Sequence, residues 1–410
     1  MSPRRRVVEL MLAGLADSLC LSFAWTVLML QVVSDYGLGA AGLVSAAMLV
    51  GVALSAPVAS RLAGLLDGRR LLRSAASVEA LLRTAVFALL MTGAPMPWLA
   101  LCVTVMNVTA WTGYAGMRAE VAAVSPHTSA LTWYGSGVAG IEAVGAAGAA
   151  LLPLVADVNS TTVLVVVTGV YVLGLVPTVV VAGGSPIRRP APSSAAWLGS
   201  DRDSWRPTVS VPVMAGVLLM LVASAPTLLY VGLAAELHGR ASVALVAVSF
   251  TVGSLAAPFL SSLVLRRRAN GPVVWLLCAL GMTVGWVLAP WSVAFMMVAQ
   301  AASGLSVTAL EGLLDTSIAS RARIGVTGAL ARGTAGRALG SAAAVALLPT
   351  ALGRVGLTPM MAAVAGLLGG AVLVVRRRAA PRARAARSPR PRRPGASAGL
   401  NPADPAHPQG

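Results

Sequence analysis

The chain consists of long apolar runs that are separated by short clusters of arginine, glycine and proline. Most runs are about 20 residues long, which is the length an α-helix needs to cross a bilayer. Helices are the expected spanning form because lipid leaves the backbone groups of an open strand unsatisfied. The predicted spans are residues 7–33, 39–60, 74–93, 98–116, 130–153, 161–182, 211–233, 242–265, 272–289, 291–313, 324–349 and 355–375. The pattern therefore predicts an all-α membrane protein with twelve transmembrane helices.

The composition supports this interpretation. Hydrophobic residues make up 57% of the 410 residues and charged residues only 11%, whereas a soluble domain carries about 25% charged residues. The first apolar run, residues 7–33, is longer than the roughly 7–15 apolar residues of a secretory signal peptide. We therefore expect it to be retained as the first membrane helix.

The arginines set the predicted topology. All 31 basic residues are arginine, and cytoplasmic loops of membrane proteins carry an excess of such residues. If the N-terminus is cytoplasmic, only Arg240 and Arg354 fall on the outer side, and Arg83, Arg332 and Arg337 lie within spans. Every other arginine then falls in a cytoplasmic loop or tail, which predicts that both termini are cytoplasmic.

The segment 54–73 is partly repeated half a chain later. Five of its residues recur with the same spacing, as Leu54, Ala56, Pro57, Ser60, Leu62 and then Leu255, Ala257, Pro258, Ser261, Leu263. Such parallel repeats are typical of transporters that consist of two similar halves. We predict an N-terminal six-helix bundle over 1–182, a cytoplasmic linker over 183–210, a C-terminal six-helix bundle over 211–375 and a disordered cytoplasmic tail over 376–410. The two bundles are expected to be pseudo-symmetric.

The net charge of +17 does not require a nucleic-acid partner, because a basic cytoplasmic tail follows from the topology alone. We expect no nucleic acid to bind, and we expect the tail to contact anionic membrane lipid. The three cysteines and three histidines are scattered, so neither a disulfide framework nor a metal site is predicted. No cofactor is expected.

Twelve spans in two groups of six, a central linker and a glycine- and arginine-rich loop after the second span resemble the major facilitator superfamily. In the loop, Ser60 stands where the family signature has its first glycine and Gly64 where it has an aspartate. The end of the signature is matched by Gly68, Arg69 and Arg70, after one extra residue.

The resemblance implies transport by alternating access between the two bundles, as in bacterial exporters of the family. It also implies that this loop latches the cytoplasmic gate. The extra residue is an aspartate that can replace the missing one. The expected gate residues are Asp67, Gly68, Arg69, Arg70 and Arg118.

The resemblance further implies that spans one, four, seven and ten line a central cavity. In span four, Asn107, Trp111 and Tyr114 fall on one helix face, at i, i+4 and i+7. Polar atoms aligned in this way either face a cavity or form hydrogen bonds between helices without a role in transport. The candidate substrate-cavity residues are Trp25, Gln31, Asn107, Trp111, Tyr114 and Gln300.

Ionisable groups inside a membrane are costly unless they are paired or hydrated, so each is a functional candidate. The candidate proton or charge network comprises Asp17, Glu142, Glu311, Asp315, Arg332 and Arg337.

Two parts of this network allow alternative interpretations. Glu311 and Asp315 lie one helical turn apart, so either their repulsion favours a proton on one of them, or Asp315 is solvated while Glu311 pairs with an arginine. Glu142 and Arg337 occupy related places in spans five and eleven, so they form either a switchable charge network or a permanent structural pair. Arg83 is expected to pair with Glu79, four residues earlier.

These features favour a secondary active transporter in the bacterial inner membrane, with a small-molecule substrate and protons as the coupling ion. Proton-coupled efflux of small hydrophobic molecules is the first hypothesis, because the expected lining is rich in aromatic and methionine side chains. These are Trp25, Met29, Met106, Trp111, Tyr114, Met220, Phe295 and Met296. Import of a small metabolite is the alternative. A non-transporting scaffold or sensor is a further one. The sequence carries none of the motifs of intramembrane or metal-dependent enzymes that we considered, so no enzymatic activity is predicted.

A reporter fused after Arg378 tests the topology. The twelve-span arrangement predicts a cytoplasmic reporter, because an even number of spans returns the chain to the side on which it began. A fluorescent protein that folds only in the cytoplasm should be bright at this position, and an alkaline phosphatase fusion should be inactive. The opposite pair of results would contradict the arrangement.

Overall fold

The computed structural model describes the chain in six segments. They cover residues 3–124, 128–152, 160–187, 207–267, 270–321 and 326–387. Most of the central linker and the end of the predicted tail lie outside the described residues. Within these segments the regular structure is helical, as the hydrophobic pattern predicts.

The first half of the chain contains six helices that form spans one to six. They are α1 (Pro3–Leu65), α2 (Gly68–Met91), α3 (Met96–Val124), α4 (Thr128–Leu151), α5 (Thr161–Leu173) and α6 (Val176–Ala182). Helix α1 holds the first two spans and bends between them at Gly37, whose φ is 77°. Helices α5 and α6 together form the sixth span, and Pro177 lies in the first turn of α6, where its missing N–H is tolerated.

The second half contains eight helices that form spans seven to twelve. They are α7 (Pro207–Ala223), α8 (Ala225–Leu228), α9 (Tyr230–His238), α10 (Ser242–Arg266), α11 (Pro272–Thr283), α12 (Val293–Arg321), α13 (Val326–Val355) and α14 (Leu357–Arg387). The seventh span is broken into α7, α8 and α9. Two helices extend beyond the predicted spans. Helix α7 begins inside the predicted linker 183–210, and α14 continues to Arg387, inside the predicted tail 376–410.

Eight helical runs in the described part of the chain are long and apolar enough to cross a membrane. One of them, Arg5–Leu65, is 61 residues long and therefore accommodates two spans. Each of the twelve predicted spans coincides with a helix, or with consecutive helices, of this structure. The prediction of an all-α, multi-pass membrane protein is confirmed.

Four connections between spans turn on a glycine with positive φ. Gly37, Gly93, Gly239 and Gly356 have φ values between 64° and 84°, a region that L-residues with a side chain avoid. All four lie on the side opposite the N-terminus if each span crosses once. We call that side the outer side and the other the cytoplasmic side, following the topology that the arginines predict.

The two halves meet on the outer side. One buried apolar cluster there includes Val44 of the second span and Val345 of the eleventh. A hydrogen bond of 2.9 Å from Arg240 Nη2 to Ser34 Oγ joins the same ends. Towards the cytoplasmic side each half has its own buried cluster. The packing between the bundles is therefore concentrated towards the outer side.

Glycines allow very close contact between α10 and α12. A Cβ atom added at Gly253 would lie 1.9 Å from the carbonyl oxygen of Ala301, and one at Gly304 would lie 2.1 Å from that of Phe250. Small residues in membrane helices permit this approach of two backbones. Spans eight and ten of the second bundle are thus packed backbone to backbone.

Substitution of Gly253 tests this contact. Gly253→Ala should lower the thermal stability of the purified protein, because its methyl group cannot be placed without moving α10 away from α12. Gly366→Ala is the matched control, since Gly366 is also within a membrane helix and has open space around it. The control should leave the melting temperature unchanged or raise it slightly, as alanine favours helix by about 1 kcal/mol. Equal melting temperatures for the two variants would contradict the proposed packing.

Candidate functional site

The first candidate site is an arginine that is held by two carboxylates inside the N-terminal bundle. Arg83 of α2 is fully buried. Its Nε donates to Glu79 Oε1 at 3.0 Å, and its Nη2 donates to Asp17 Oδ1 of α1 at 2.7 Å. The predicted pair of Glu79 and Arg83 is present, and Asp17 joins it from the first span. We call these three residues the Arg83 cluster.

The sixth span closes the Arg83 cluster. Nη1 of Arg83 donates to the carbonyl oxygen of Tyr171 at 2.5 Å, and its guanidinium carbon lies 4.2 Å from the centroid of the Tyr171 ring. This ring lies edge-on to Phe87. All three guanidinium nitrogens therefore have acceptors, which a buried cation requires.

A small polar cavity borders the Arg83 cluster. Its volume is about 20 Å³, which accommodates a single water molecule. Asp17, Glu79, Tyr114 and Tyr134 are among its lining residues. Asp17 is the open member of the cluster, because 28% of its side chain is exposed against 4% for Glu79.

Glu142 of α4 lies beside the first span. Its backbone carbonyl accepts a hydrogen bond of 2.6 Å from Ser22 Oγ. Three residues later, a Cβ added at Gly145 would lie 2.5 Å from the carbonyl oxygen of Leu19. Ser22 follows Asp17 by five residues on α1, so these contacts join the two helices that carry Asp17 and Glu142. Spans one and five therefore bring together two carboxylates from the predicted charge network.

The second candidate site is an arginine with two carboxylates in the C-terminal bundle. Nη1 of Arg337 lies 2.9 Å from Asp315 Oδ1, and its Nε lies 3.7 Å from Glu311 Oε1. We call these three residues the Arg337 cluster. Arg337 is 7% exposed, whereas Glu311 and Asp315 are 49% and 41% exposed. Unlike the Arg83 cluster, this cluster has both carboxylates accessible.

The Arg337 cluster bears on the alternatives for the predicted network. In this conformation Arg337 pairs with α12, and no ion pair between it and Glu142 occurs among the described residues. Glu311 pairs with an arginine, while Asp315 pairs with the same one instead of being solvated alone. Arg332 lies on α13, five residues before Arg337.

Two of the predicted cavity residues belong to an aromatic row. The rings of Trp111 and Tyr114 lie edge to face with centroids 5.4 Å apart, and Tyr114 stacks on Tyr134 at 5.9 Å. Arg118, one turn after Tyr114, has its guanidinium carbon 5.9 Å from the Tyr114 ring centroid. Trp111 is 39% exposed, so this row has an accessible end.

The other predicted cavity residues lie in contacts between or within helices. Gln31 donates to Asp35 Oδ2 at 2.6 Å, and buried Asn107 donates to a carbonyl of its own helix at 2.9 Å. Buried Gln300 donates to the carbonyl oxygen of Thr227, in the broken seventh span, at 3.2 Å. Trp25 packs against the apolar cluster of the outer side. For these residues the geometry matches the alternative of hydrogen bonding and packing.

Of the predicted gate residues, Asp67 lies between α1 and α2, Gly68, Arg69 and Arg70 form the first turn of α2, and Arg118 lies on α3. Asp67 caps α2 by accepting from the backbone N–H of Arg70 at 2.7 Å, and its carboxylate lies 3.7 Å from Arg70 Nε. Both contacts join Asp67 to the first turn of α2. Arg69 and Arg118 are exposed. The described contacts of Asp67 in this conformation are local and join no second bundle.

Gly68 contacts a group of residues that the sequence pattern did not indicate as functional. Its N–H donates to the carbonyl oxygen of Ile187 at 3.1 Å, and buried Glu120 of α3 accepts a hydrogen bond from Ser185 beside it. Burial raises the pKa of Glu120, although Ser185 and Arg6 oppose the shift. The start of the central linker is thereby fixed to the loop after span two. The position of Glu120 just beyond the end of the predicted span 98–116 is the sequence feature that could have indicated this group.

Metal binding has no support in the described part of the chain, where no group of three or more His, Cys, Asp or Glu side chains converges. The two arginine clusters are instead suited to holding or exchanging protons and charged groups. Their carboxylates share a cation, so protonating one of them changes the pairing of the other.

Comparison with known proteins identifies the fold. Neither a family profile nor a curated protein matches the sequence. The inward-open xylose transporter XylE from E. coli aligns with a TM-score of 0.68 at 11% identity, over 90% of this chain and 95% of that one. The nucleoside transporter NupG aligns with a TM-score of 0.65 at 11% identity, over 90% of this chain and 97% of that one.

A peptide transporter, POT, in complex with alafosfalin gives a TM-score of 0.66 at 12% identity, over 91% of this chain and 94% of that one. At such low identity the likeness concerns the fold alone. The chain shares the fold of these three transporters, which agrees with the resemblance to the major facilitator superfamily described above.

Removal of the two arginines should have unequal effects on stability. Arg83→Ala leaves Asp17 and Glu79 without their cation in a buried site, and we expect a loss of about 3–5 kcal/mol. Arg337→Ala should cost less, because water reaches both of its carboxylates. Thermal unfolding in detergent, followed by intrinsic fluorescence, measures the difference.

A compensating change separates charge from packing. Glu79→Gln added to Arg83→Ala removes one uncompensated carboxylate and should recover part of the lost stability. A larger loss of stability in Arg337→Ala than in Arg83→Ala would contradict the expectation that the Arg83 cluster contributes more to the stability of the protein.

Proposed function

We propose that the protein is a secondary active transporter of the bacterial inner membrane, with both termini cytoplasmic, that works by alternating access. The observation that carries this proposal is the Arg337 cluster, which places two accessible carboxylates on one buried arginine in the middle of a transporter fold. The concentration of packing between the bundles on the outer side supports a conformation that opens towards the cytoplasm.

The proposed coupling ion is the proton, and Glu311 and Asp315 are its proposed carriers. Arg337 lies close to both carboxylates but carries a single positive charge, so one negative charge remains in excess. A proton neutralises that excess, and the exposure of both side chains gives water a route to them. The guanidinium can then remain with the carboxylate that is still ionised. Protonation thus changes the contact between α12 and α13, two helices of the C-terminal bundle.

The Arg83 cluster has a more permanent role in this proposal. Its guanidinium is fully satisfied, and Glu79 is held on the same helix as Arg83. Asp17 is the exchangeable member, since its side chain is partly exposed. We assign Asp17 a role in communication between the first span and the rest of the bundle, while Glu79 and Arg83 hold the bundle together.

The proposed substrates are small hydrophobic molecules, and the proposed direction is efflux. The row of Trp111, Tyr114 and Tyr134 offers aromatic faces, and its end at Trp111 is exposed. Such surfaces bind apolar and cationic ligands. Import of a small metabolite is the second candidate. It is favoured by the likeness to structures that are described as nucleoside, xylose and peptide transporters.

Transport into inverted membrane vesicles tests the function and the coupling together. Fluorescent dyes and labelled antibiotics should accumulate under an imposed proton gradient and should be released when an uncoupler collapses it. Glu311→Gln and Asp315→Asn should each lower gradient-driven accumulation by at least tenfold. Asp35→Asn is the control, because Asp35 is an exposed carboxylate at the outer end of span one.

The outcomes distinguish the parts of the proposal. Accumulation that persists without a gradient would refute proton coupling. Full activity of both Glu311→Gln and Asp315→Asn would refute the assigned carriers. Uptake of sugars, nucleosides or peptides in right-side-out vesicles, with no movement of dyes in inverted ones, would establish the import alternative. No transport of any tested compound by a correctly folded protein would favour the scaffold or sensor.

A further inference from the structure

An open groove lies on the outside of the N-terminal bundle, between spans one and six. Its apolar lining comes from Leu12 and Ala13 of α1 and from Val176, Pro177 and Val180 of α6. Its volume is about 430 Å³, within the range of about 300–1,000 Å³ that small-molecule sites occupy. The side chains that form its walls are exposed, since Leu12 and Val180 are 61% and 69% accessible. In a membrane this groove faces lipid.

The cytoplasmic end of the groove is basic. Glu9 lines this end, and its carboxylate lies 3.1 Å from Arg5 Nε and 3.6 Å from Arg6 Nη1. Arg6 also donates from Nη2 to the carbonyl oxygen of Val181, another lining residue. Two arginines thus stand one helical turn before the only ionisable residue in the lining, on the side where lipid headgroups lie.

A third arginine reaches the same place from α2. A Cβ added at Gly183 would lie 3.5 Å from Arg73 Nη2, and one at Gly184 would lie 3.0 Å from Arg6 Nη1. The guanidinium groups of Arg6 and Arg73 therefore lie against the backbone at the end of span six. The Nε atoms of Arg6 and Arg73 are both buried and lack a hydrogen-bond partner among the described residues. Buried donors of this kind are costly without an acceptor.

The groove has apolar walls within the membrane and unpartnered cationic donors at its cytoplasmic end. These two regions match the acyl chain and the headgroup of a phospholipid. We propose that the groove between spans one and six is a binding site for an anionic phospholipid of the cytoplasmic leaflet. One acyl chain lies along the apolar walls, and the phosphate of the headgroup accepts from Arg6 and Arg73. Basic pockets between membrane helices on the cytoplasmic side bind such headgroups in general, and arginine suits phosphate because its donors are planar and paired.

The nearby acids reduce the positive charge without cancelling it. Glu9 neutralises one of Arg5 and Arg6. Glu120 also interacts with Arg6, so at most two ionised acids face these arginines. Arg5, Arg6 and Arg73 together outnumber the ionised acids at this end of the groove. A zwitterionic headgroup gains less from this excess than an anionic one, which makes the site selective for net negative charge.

Native mass spectrometry of the full-length protein tests the site. The protein is extracted into detergent and titrated with phosphatidylglycerol or with phosphatidylcholine of the same acyl chains. We expect one phosphatidylglycerol adduct to survive collisional activation that removes phosphatidylcholine. Arg73→Gln and Arg6→Gln should each reduce this preference about fivefold, since one arginine near an anionic surface contributes about 1 kcal/mol.

Two tryptophan variants locate the acyl chain. Val180→Trp fills the groove and should weaken the retention of both lipids. Val166→Trp is the matched control, because Val166 is also exposed on span six but lies further towards the outer side. It should leave both lipids bound as in the unaltered protein. Because these two variants keep every arginine, they remain informative if Arg6→Gln fails to fold.

Three results would overturn the proposal. The first is equal retention of the two lipids by the unaltered protein. The second is a preference for phosphatidylglycerol that survives Arg73→Gln and Val180→Trp, which would place the lipid elsewhere. The third is an equal loss in Val180→Trp and Val166→Trp, which would indicate a general effect of tryptophan on the protein surface. The proposal does not depend on the direction of transport or on its coupling ion.

Discussion

A positive charge inside a lipid bilayer is stable only when its partners are fixed in position, and the N-terminal bundle is arranged around one such charge. Arg83 draws a carboxylate from span one, a carboxylate from its own span and a backbone carbonyl from span six. Hydrophobic contacts pack spans one, three and six against one another, and the polar contacts of Arg83 also fix the rotation of each span about its axis. Loss of Arg83 would leave two carboxylates without a cation inside the bundle, which neither lipid nor the remaining helices can neutralise.

The C-terminal bundle uses the same residue types with a different degree of closure. Arg337 is buried like Arg83, yet its carboxylates are open to solvent. A closed cluster holds helices in one arrangement, whereas an open cluster can gain or lose a proton without unfolding its surroundings. In the proposed function, the closed Arg83 cluster therefore has the structural role and the open Arg337 cluster the proton-binding one. That asymmetry cannot arise from the fold itself, because the two bundles are built alike, so it resides in the individual side chains.

The sequence was sufficient for the helices and for the charged residues that lie within them, because both can be recognised from local hydrophobicity along the chain. It was insufficient for the partners of those charges. Asp17 meets Arg83 across 66 positions, and only the rotation of span one against span three decides that contact. For Asn107 in span four and Gln300 in span ten, the sequence also could not predict the hydrogen-bond partner. Asn107 and Gln300 needed hydrogen bonds, but the pattern could not tell a helix carbonyl from a substrate. Glu120 was overlooked because an acid beyond the end of a span is usually solvated.

At four outer positions the chain reverses direction on a single glycine and leaves almost no loop outside the bilayer. On the predicted topology, the exterior of the cell would encounter little more than helix ends at these places. Extracellular proteases need an extended strand of several residues, and antibodies need a protruding surface, so neither finds a ready target there. On the same predicted topology, the arginine-rich connections of the sequence lie on the cytoplasmic side, where the cell's own factors would meet them.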